Sequence, residues 1–302
     1  FMHGALLRRM DPMAELDDKL TLLQETLRQY GRVAVAFSGG VDSTLLLKVA
    51  VDTLGPDNVV AVIADSPTLP RREKAEAERL AAAIGATAVA VPTDELSDPR
   101  YAANPADRCY FCKRVILAAV RAEAARRGIA TLLDGQNTDD AGDWRPGARA
   151  VRECGARSPL QEAGLAKADI RALSARFGLP TAGKPAMACL ASRIPYGTPV
   201  TRETLRRIEA AEAGLHDLGF ALVRVRHHGD TARIEVGADA IPRLLDPAMR
   251  ARAAAAVRAA GYTYAALDLE GYRTGSLNRV LRPEEGSQGS GSWVGQTTPP
   301  VP

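Results

Sequence analysis

Two glycines in a row between serines set the first expectation for this chain: Ser38-Gly39-Gly40-Val41-Asp42-Ser43-Thr44. Glycines let the backbone bend and approach a ligand with no Cβ in the way. When such a turn opens a helix, successive N–H groups and the helix dipole face one point, and an anion fits there. Ser38, Ser43 and Thr44 add hydroxyls to that cradle. No Gly-Lys-Ser/Thr follows, so no lysine reaches the outer phosphates from this loop, and the G-x-G-x-x-G dinucleotide spacing is absent.

A second set is sulfur. Cys109-Tyr110-Phe111-Cys112-Lys113 is a C-x-x-C at a predicted helix start, with both thiols on one side and their acidity raised by the helix N-terminus. Alone it admits zinc, a redox pair, a cluster or chance. Cys189 falls in a loop, Lys184 to Arg193. Closed structural zinc wants four ligands, usually as two close pairs, and here there are three cysteines with no histidine near them. A trio suits a [4Fe–4S] cluster with one iron left open. The plain alternative is three buried cysteines that never meet. Cys154 fits neither group and reads as a structural thiol. Four unevenly spaced cysteines make no secreted disulfide framework, and a reducing cytoplasm fits them better.

Arg224 and Arg226 form a third set. Two residues apart on a strand, they share a face, and paired guanidiniums suit phosphate or carboxylate. The competing reading is a solvated strand face with Glu235 opposite as a partner. Asp134, Asp139, Asp140, Glu212 and Glu235 are possible Mg²⁺ ligands, since that ion needs only one or two carboxylates beside phosphate oxygens. His227 and His228 make no ligand spacing and read as surface residues.

The elements that must hold these residues follow from periodicity. Val33 to Phe37 is a buried strand of five apolar residues running straight into Ser-Gly-Gly, and Leu45 to Ala50 continues as a helix. Leu16 to Tyr30 is an amphipathic helix before it. Val59 to Ile63 and Ala86 to Val91 are further strands, with a helix from Pro70 to Gly85 between them. Thr93 to Arg108 is a long connection, a length that is more often functional than idle. A helix from Cys109 to Arg127 leads to a short strand, Thr131 to Asp134, which ends at Gly135. Ala141 to Leu165 reads as irregular, and Lys167 to Gly178 as a helix. The expected fold is α/β, a parallel doubly wound sheet with ligands beyond the C-terminal strand ends. After residue 198 the pattern changes: a helix (Thr201 to Leu218), a half-buried strand (Ala221 to His227), its hairpin partner (Arg233 to Val236), a helix (Pro247 to Ala260) and a strand (Tyr264 to Leu269). The expected domains are a flexible leader (1–15), an α/β domain carrying the glycine cradle (16–198), a small α+β domain (199–282) and a disordered tail (283–302).

The totals fit a soluble globular protein. The 302 residues are 46% hydrophobic and 25% charged, with a net charge of +3. That charge is too small and too interspersed to point to nucleic acid. No apolar run approaches the length of a membrane span.

The SGGVDS string resembles the PP-loop of the ATP pyrophosphatases. The longer set narrows this: Ala36 to Thr44, Leu133-Asp134-Gly135, Gly142 to Gly147, Ser158 to Gly164, Ser192-Arg193-Ile194-Pro195-Tyr196-Gly197-Thr198, Val223 to Arg226, Ala232 to Glu235 and Leu267 to Arg273 resemble the LarE family of ATP-dependent sulfur transferases. The resemblance implies that MgATP adenylylates a carboxylate of pyridinium-3,5-dicarboxylate mononucleotide. Sulfur then displaces AMP, giving a thiocarboxylate on the way to the nickel-pincer nucleotide of lactate racemase. By that resemblance Ser38, Gly39, Gly40, Val41, Asp42, Ser43 and Gly135 hold ATP, and Arg224, Arg226, Ser192 and Arg273 hold the substrate. Lys113 stands at the reacting centre, and Glu212 and Glu235 are linked to metal. One branch of the family sacrifices a single cysteine, which aligns with Ala188. This chain is more similar to the other branch, in which three cysteines (here Cys109, Cys112 and Cys189) carry a [4Fe–4S] cluster and an external donor supplies sulfur. The cradle and Cys189 are then expected to share one cavity. The resemblance also implies a homo-oligomer. Sacrificial transfer from Cys189, a tRNA-thiolating PP-loop enzyme and a non-catalytic nucleotide-binding module are the alternatives.

Overall fold

The computed structural model describes residues 12–141, 146–185 and 187–273. The expected tail and most of the expected leader, together with Asp143-Trp144-Arg145, lie outside the described residues. In chain order the elements begin with α1 (Pro12–Tyr30), β1 (Val33–Ala36), α2 (Val41–Leu54), β2 (Val59–Asp65), α3 (Arg71–Ile84) and β3 (Thr87–Pro92). There follow α4 (Pro99–Ala102), α5 (Arg108–Arg126), β4 (Thr131–Leu133), α6 (Pro146–Cys154), α7 (Pro159–Glu162) and α8 (Lys167–Arg176). The chain continues with α9 (Arg202–Asp217), β5 (Val223–His228), β6 (Thr231–Val236), α10 (Ile241–Leu245), α11 (Pro247–Ala259) and β7 (Tyr264–Leu267). Among the described residues no helix is long and apolar enough to cross a membrane.

The described residues form two compact units. Of these residues the first takes 12–65, 71–93, 113–141, 146–185 and 187, and the second 66–70, 94–112 and 188–273.

The first unit is built on a parallel sheet of order β3-β2-β1-β4. Val33, Ala34, Val35 and Ala36 align with Val59 to Val62 on one side, and Val33 to Val35 with Thr131 to Leu133 on the other. These strands are almost wholly apolar because helices cover both faces. One face meets α5 and α6 through Leu117, Val120, Ala124 and Val151. α2 is buried along most of its length, with Leu45, Leu46 and Leu47 fully covered. Leu16, Leu20, Leu23 and Leu27 give α1 its apolar stripe at helical spacing. From β1 the chain winds outward through β2 and β3, then crosses back to place β4 on the free side of β1. The strand order therefore reverses between β1 and β4, the position where open parallel sheets leave a crevice.

The stretch 141–165 departs from the irregular reading. α6 and α7 lie within it, each with proline in its first turn, where the missing N–H costs nothing. Ala150 and Val151 give α6 a buried side. So short a helix leaves too few repeats for its period to stand out in sequence.

The second unit carries a three-stranded sheet of order β5-β6-β7, antiparallel between β5 and β6 and parallel between β6 and β7. Val223, Val225, Ile234 and Val236 meet Leu215 and Ala211 of α9 and Val257 of α11 in its main core. A second core joins Tyr101 with Leu190, Ala191, Ile194, Val200, Leu205 and Ile208.

Candidate functional site

The expected anion cradle lies at the reversal point of the first unit. Gly39 takes φ +71, a left-handed conformation that L residues avoid. A Cβ there would also stand 3.0 Å from the Ala77 Cβ and 3.2 Å from its Cα, so α3 passes against the loop. Gly40 caps α2 with extended backbone at φ −80, and its carbonyl takes the Thr44 N–H at 2.9 Å. Gly135, just past β4, packs against the same helix start: a Cβ on it would lie 3.2 Å from the Ser43 nitrogen. Glycine at both strand ends is what lets the backbone close around the first turn of α2. The Ser38 and Ser43 hydroxyls stand 3.1 Å apart, and Ser43 also reaches the Gly40 carbonyl at 3.3 Å. Thr44 is fully buried with its hydroxyl unpartnered.

Lysines from distant positions reach this loop. Lys167 Nζ donates to both Asp42 carboxylate oxygens, at 2.6 and 2.5 Å, and Asn137 Nδ2 donates to Asp42 Oδ1 at 3.1 Å. Lys184 Nζ lies 3.3 Å from the Gly39 carbonyl and pairs with Glu73 and Glu76. Neither lysine stood out in the sequence, because each arrives from well over a hundred residues away. Lys113 Nζ meets the buried Asp134 at 2.7 Å, and the Gln136 N–H donates to the other Asp134 oxygen. Asp139 accepts the Lys167 N–H at 2.9 Å, and Asp140 accepts the Asn137 N–H at 3.0 Å. These two carboxylates brace the loop after β4.

The second unit brings together Cys109, Cys112 and Cys189, the loop from Ala188 to Thr198, and β5 with β6. Cys112 and Cys189 are half-buried and pack against the core that holds Tyr101; Cys109 is exposed by area. Even so, Cys109 has enough protein around it that desolvation pushes its thiol up, with the nearby Cys189 adding and Arg108 opposing. The expectation of a thiol made more acidic by the helix start is therefore reversed at Cys109. Cys154 belongs to the first unit, where it packs against the α5–α6 face of the sheet.

Arg193, absent from the sequence candidates, is the centre of this unit. Its side chain is 2% exposed and forms a two-pronged pair with Glu212, Nε to Oε1 and Nη2 to Oε2, both at 2.9 Å. Its remaining Nη1 donates to the carbonyls of Ala188 and Cys189 and to the Ser192 hydroxyl. Glu212 Oε1 also accepts the Val225 N–H at 2.9 Å. Both Glu212 oxygens thus hold the cysteine loop to α9 and β5. Glu235 pairs with Arg226 at 2.7 Å and with Arg233 at 3.3 Å. Arg226 also donates to the Ser192 carbonyl at 2.7 Å. Arg224 is placed opposite Glu235 in the strand register, yet its guanidinium lies over the Tyr272 ring, 5.4 Å from the centroid. Burial first, then the like charge of Arg193, pushes Arg224 below its ordinary value. A crowded guanidinium of this kind favours an incoming anion. Arg273, half-exposed, pairs with Glu270 at 3.2 Å.

Asn104 was also missed. It takes φ +59, is fully buried, and donates from Nδ2 to the Pro195 and Thr198 carbonyls at 2.8 Å. Its Oδ1 accepts from Arg108 at 2.9 Å, and the Arg108 guanidinium covers the Tyr196 ring. His227 corrects a reading: it is 7% exposed and faces Tyr262, Nδ1 to hydroxyl 3.2 Å, while His228 is exposed. The alternation that buries Val223 and Val225 carries His227 to the same face. Among the described residues no three His, Cys, Asp or Glu side chains are arranged to hold a single metal ion.

Comparison with known proteins adds context to this geometry. The NAD synthase family model matches residues 15–104. The chain is 42% identical over 269 residues to the pyridinium-3,5-bisthiocarboxylic acid mononucleotide synthase of Lactiplantibacillus plantarum, covering 89% of this chain and 97% of that protein. It is also 42% identical to an uncharacterized protein of Synechocystis sp., across 88% of this chain and 99% of the relative. An uncharacterized protein of Methanocaldococcus jannaschii is 26% identical, over 73% of this chain and 85% of its own.

Proposed function

We infer the function from the family: the chain belongs to the LarE-like family of PP-loop enzymes that use ATP to insert sulfur. We propose that it activates a carboxylate of a pyridinium-3,5-dicarboxylate mononucleotide and converts it to a thiocarboxylate for a nickel-pincer cofactor. The observation that carries this is the whole-length likeness to the Lactiplantibacillus synthase, whose name states a bisthiocarboxylic product.

The chemistry accounts for the first-unit cradle. A carboxylate oxygen attacks the α-phosphorus of MgATP, the bond to the β-phosphate oxygen breaks, and pyrophosphate leaves. The N–H groups at the start of α2, beside Ser38 and Ser43, receive that pyrophosphate. Lys184 and Lys167 bring positive charge to the same loop. Sulfur then attacks the acyl carbon and AMP departs with the carboxylate oxygen, a far better leaving group than oxide. In the second unit Arg224, with Arg226 and Ser192 beside it, would hold the acidic substrate.

The donor set of the second unit also fits a [4Fe–4S] cluster. Among the described residues three cysteines and no fourth belong to this unit, and a buried, unpartnered tyrosine hydroxyl belongs to the core that Cys112 and Cys189 pack against. Cys109, Cys112 and Cys189 would hold it, and the group would supply an open iron on which an external sulfur donor could leave hydrosulfide. Arg193 holds the Cys189 loop and leaves the thiol untouched.

The test is turnover with purified acceptor nucleotide, ATP and sulfide. Pyrophosphate release that needs the acceptor, with one oxygen exchanged for sulfur in the product mass, is expected. ATP turnover without acceptor, or a product free of sulfur, overturns the proposal. Mass analysis of the spent protein separates the two sulfur routes: an intact Cys189 favours the external donor, and dehydroalanine there favours sacrifice of the residue.

A further inference from the structure

Two glutamates stand where a loop built for an anion would be better served without them. Glu73 and Glu76 are three residues apart on α3, so they share a helix face. Both reach the Lys184 ammonium, at 2.8 and 3.2 Å, and that ammonium lies 3.3 Å from the Gly39 carbonyl. Two carboxylates on one lysine leave a net negative charge beside the double glycine. The helix that carries them is fixed there, since Ala77 packs against Gly39.

The main chain under Lys184 is tied down on both sides. Arg171 of α8 sends Nη1 to the Ala182 carbonyl at 2.6 Å and Nη2 to the Lys184 carbonyl at 3.0 Å. The Lys184 N–H donates to the carbonyl of the fully buried Thr181 at 3.0 Å. The Lys184 side chain is only 15% exposed. A lysine that merely balanced surface carboxylates would need none of this support, and such pairs contribute little. What stays adjustable is the ammonium, a point charge on a flexible four-carbon stem. From the Gly39 carbonyl it can pass to an anion on the neighbouring N–H groups by side-chain rotation alone.

We propose that Glu73 and Glu76 are positioning residues: they hold the Lys184 ammonium off the phosphate position, and pyrophosphate draws it away from them. The two carboxylates compete with the leaving group for one cation, and this latch limits how tightly the product is retained. The glycine loop carries no lysine of its own, and this one arrives from residue 184 with its restraint already in place. The inference rests on the reading of the loop as the pyrophosphate site.

The experiment measures pyrophosphate binding to the full chain, in magnesium buffer, by isothermal titration calorimetry. Glu73→Gln combined with Glu76→Gln should tighten binding about five-fold, the worth of releasing a partly buried ion pair. Lys184→Met should weaken it about ten-fold, the loss of one charged hydrogen bond. The triple variant is decisive: with Lys184→Met in place, the two glutamines should bring no gain. An equal gain with and without the lysine means that the carboxylates repel the anion directly, and it overturns the proposal. So does no gain in either background. Amine labelling by acetic anhydride, read by peptide mass spectrometry, decides the matter should the lysine variants not fold. Pyrophosphate should shield Lys184 in the parent chain, and the two glutamines should speed its labelling in the free chain. Lys48, paired with Asp52 on α2, serves as the control. Unchanged Lys184 labelling in either comparison overturns the proposal. A parent chain that binds neither pyrophosphate nor ATP fails the reading of the loop and the latch with it. Pyrophosphate binding without these shifts fails the latch alone. The shifts without thiocarboxylate formation uphold the latch and fail only the sulfur-transfer reading.

Discussion

The anion sites proposed for the two units are built by opposite means. In the first, the binding surface is backbone: glycines at the ends of β1 and β4, serine hydroxyls, and the start of α2. Its lysines stay partly exposed and already paired with carboxylates. In the second, charge is buried outright, with Arg193 on Glu212, Arg226 on Glu235, and Arg224 crowded beside them. A backbone cradle needs a particular conformation and tolerates little volume. A buried ionic lattice needs every partner present, because removing one leaves the other desolvated and alone.

That contrast is broken most directly at Arg193. Arg193→Ala should lower unfolding stability by about 3–5 kcal/mol, since it strands a buried carboxylate. Arg193→Met combined with Glu212→Gln removes both charges, keeps an acceptor for the Val225 N–H, and should recover most of the loss. Denaturant titration of the three chains checks this. A mild single variant would show that the second unit does not depend on its buried charge.

The first unit is probed by two neighbouring alanines. Gly39→Ala puts a Cβ at positive φ and against Ala77, and should cost about 1–3 kcal/mol and most of the acceptor-dependent pyrophosphate release. Gly40→Ala meets only the Ser38 hydroxyl at 3.4 Å with ordinary backbone, and should be nearly silent in stability. Equal effects at both positions would mean that φ is not what the loop requires.

How readily each unit could be read from sequence follows from the same contrast. A backbone site must be spelled with glycines, so the double glycine after β1 is plain in the sequence, and Gly135 falls in the Leu133-Asp134-Gly135 motif. A side-chain lattice is spelled across Arg193, Glu212, Arg226 and Glu235, four ordinary charged residues. Only their pairing in three dimensions separates them from a solvated face. Glu212 and Glu235 were noticed as carboxylates for metal, whereas each already holds an arginine. Asn104 and Tyr101 sat in a connection that was marked as functional for its length alone.

The smallest effect sharpens the comparison from a different side. Burial, with Arg207 adding, holds the His227 imidazole below its ordinary value. Near pH 6 the unfolded chain therefore binds more protons than the native one. The stabilisation is complete above about pH 6.5 and is lost as pH falls toward the folded value. His227→Gln should flatten the fall in urea midpoint between about pH 7 and 5. A slope equal to that of the parent would assign the acid sensitivity to other groups in the unit.

The way Arg193 grips the Cys189 loop has a further result. It holds main-chain oxygens, so whatever becomes of the sulfur leaves the anchorage alone. A chain that lost that atom would keep these main-chain bonds and the loop position they fix.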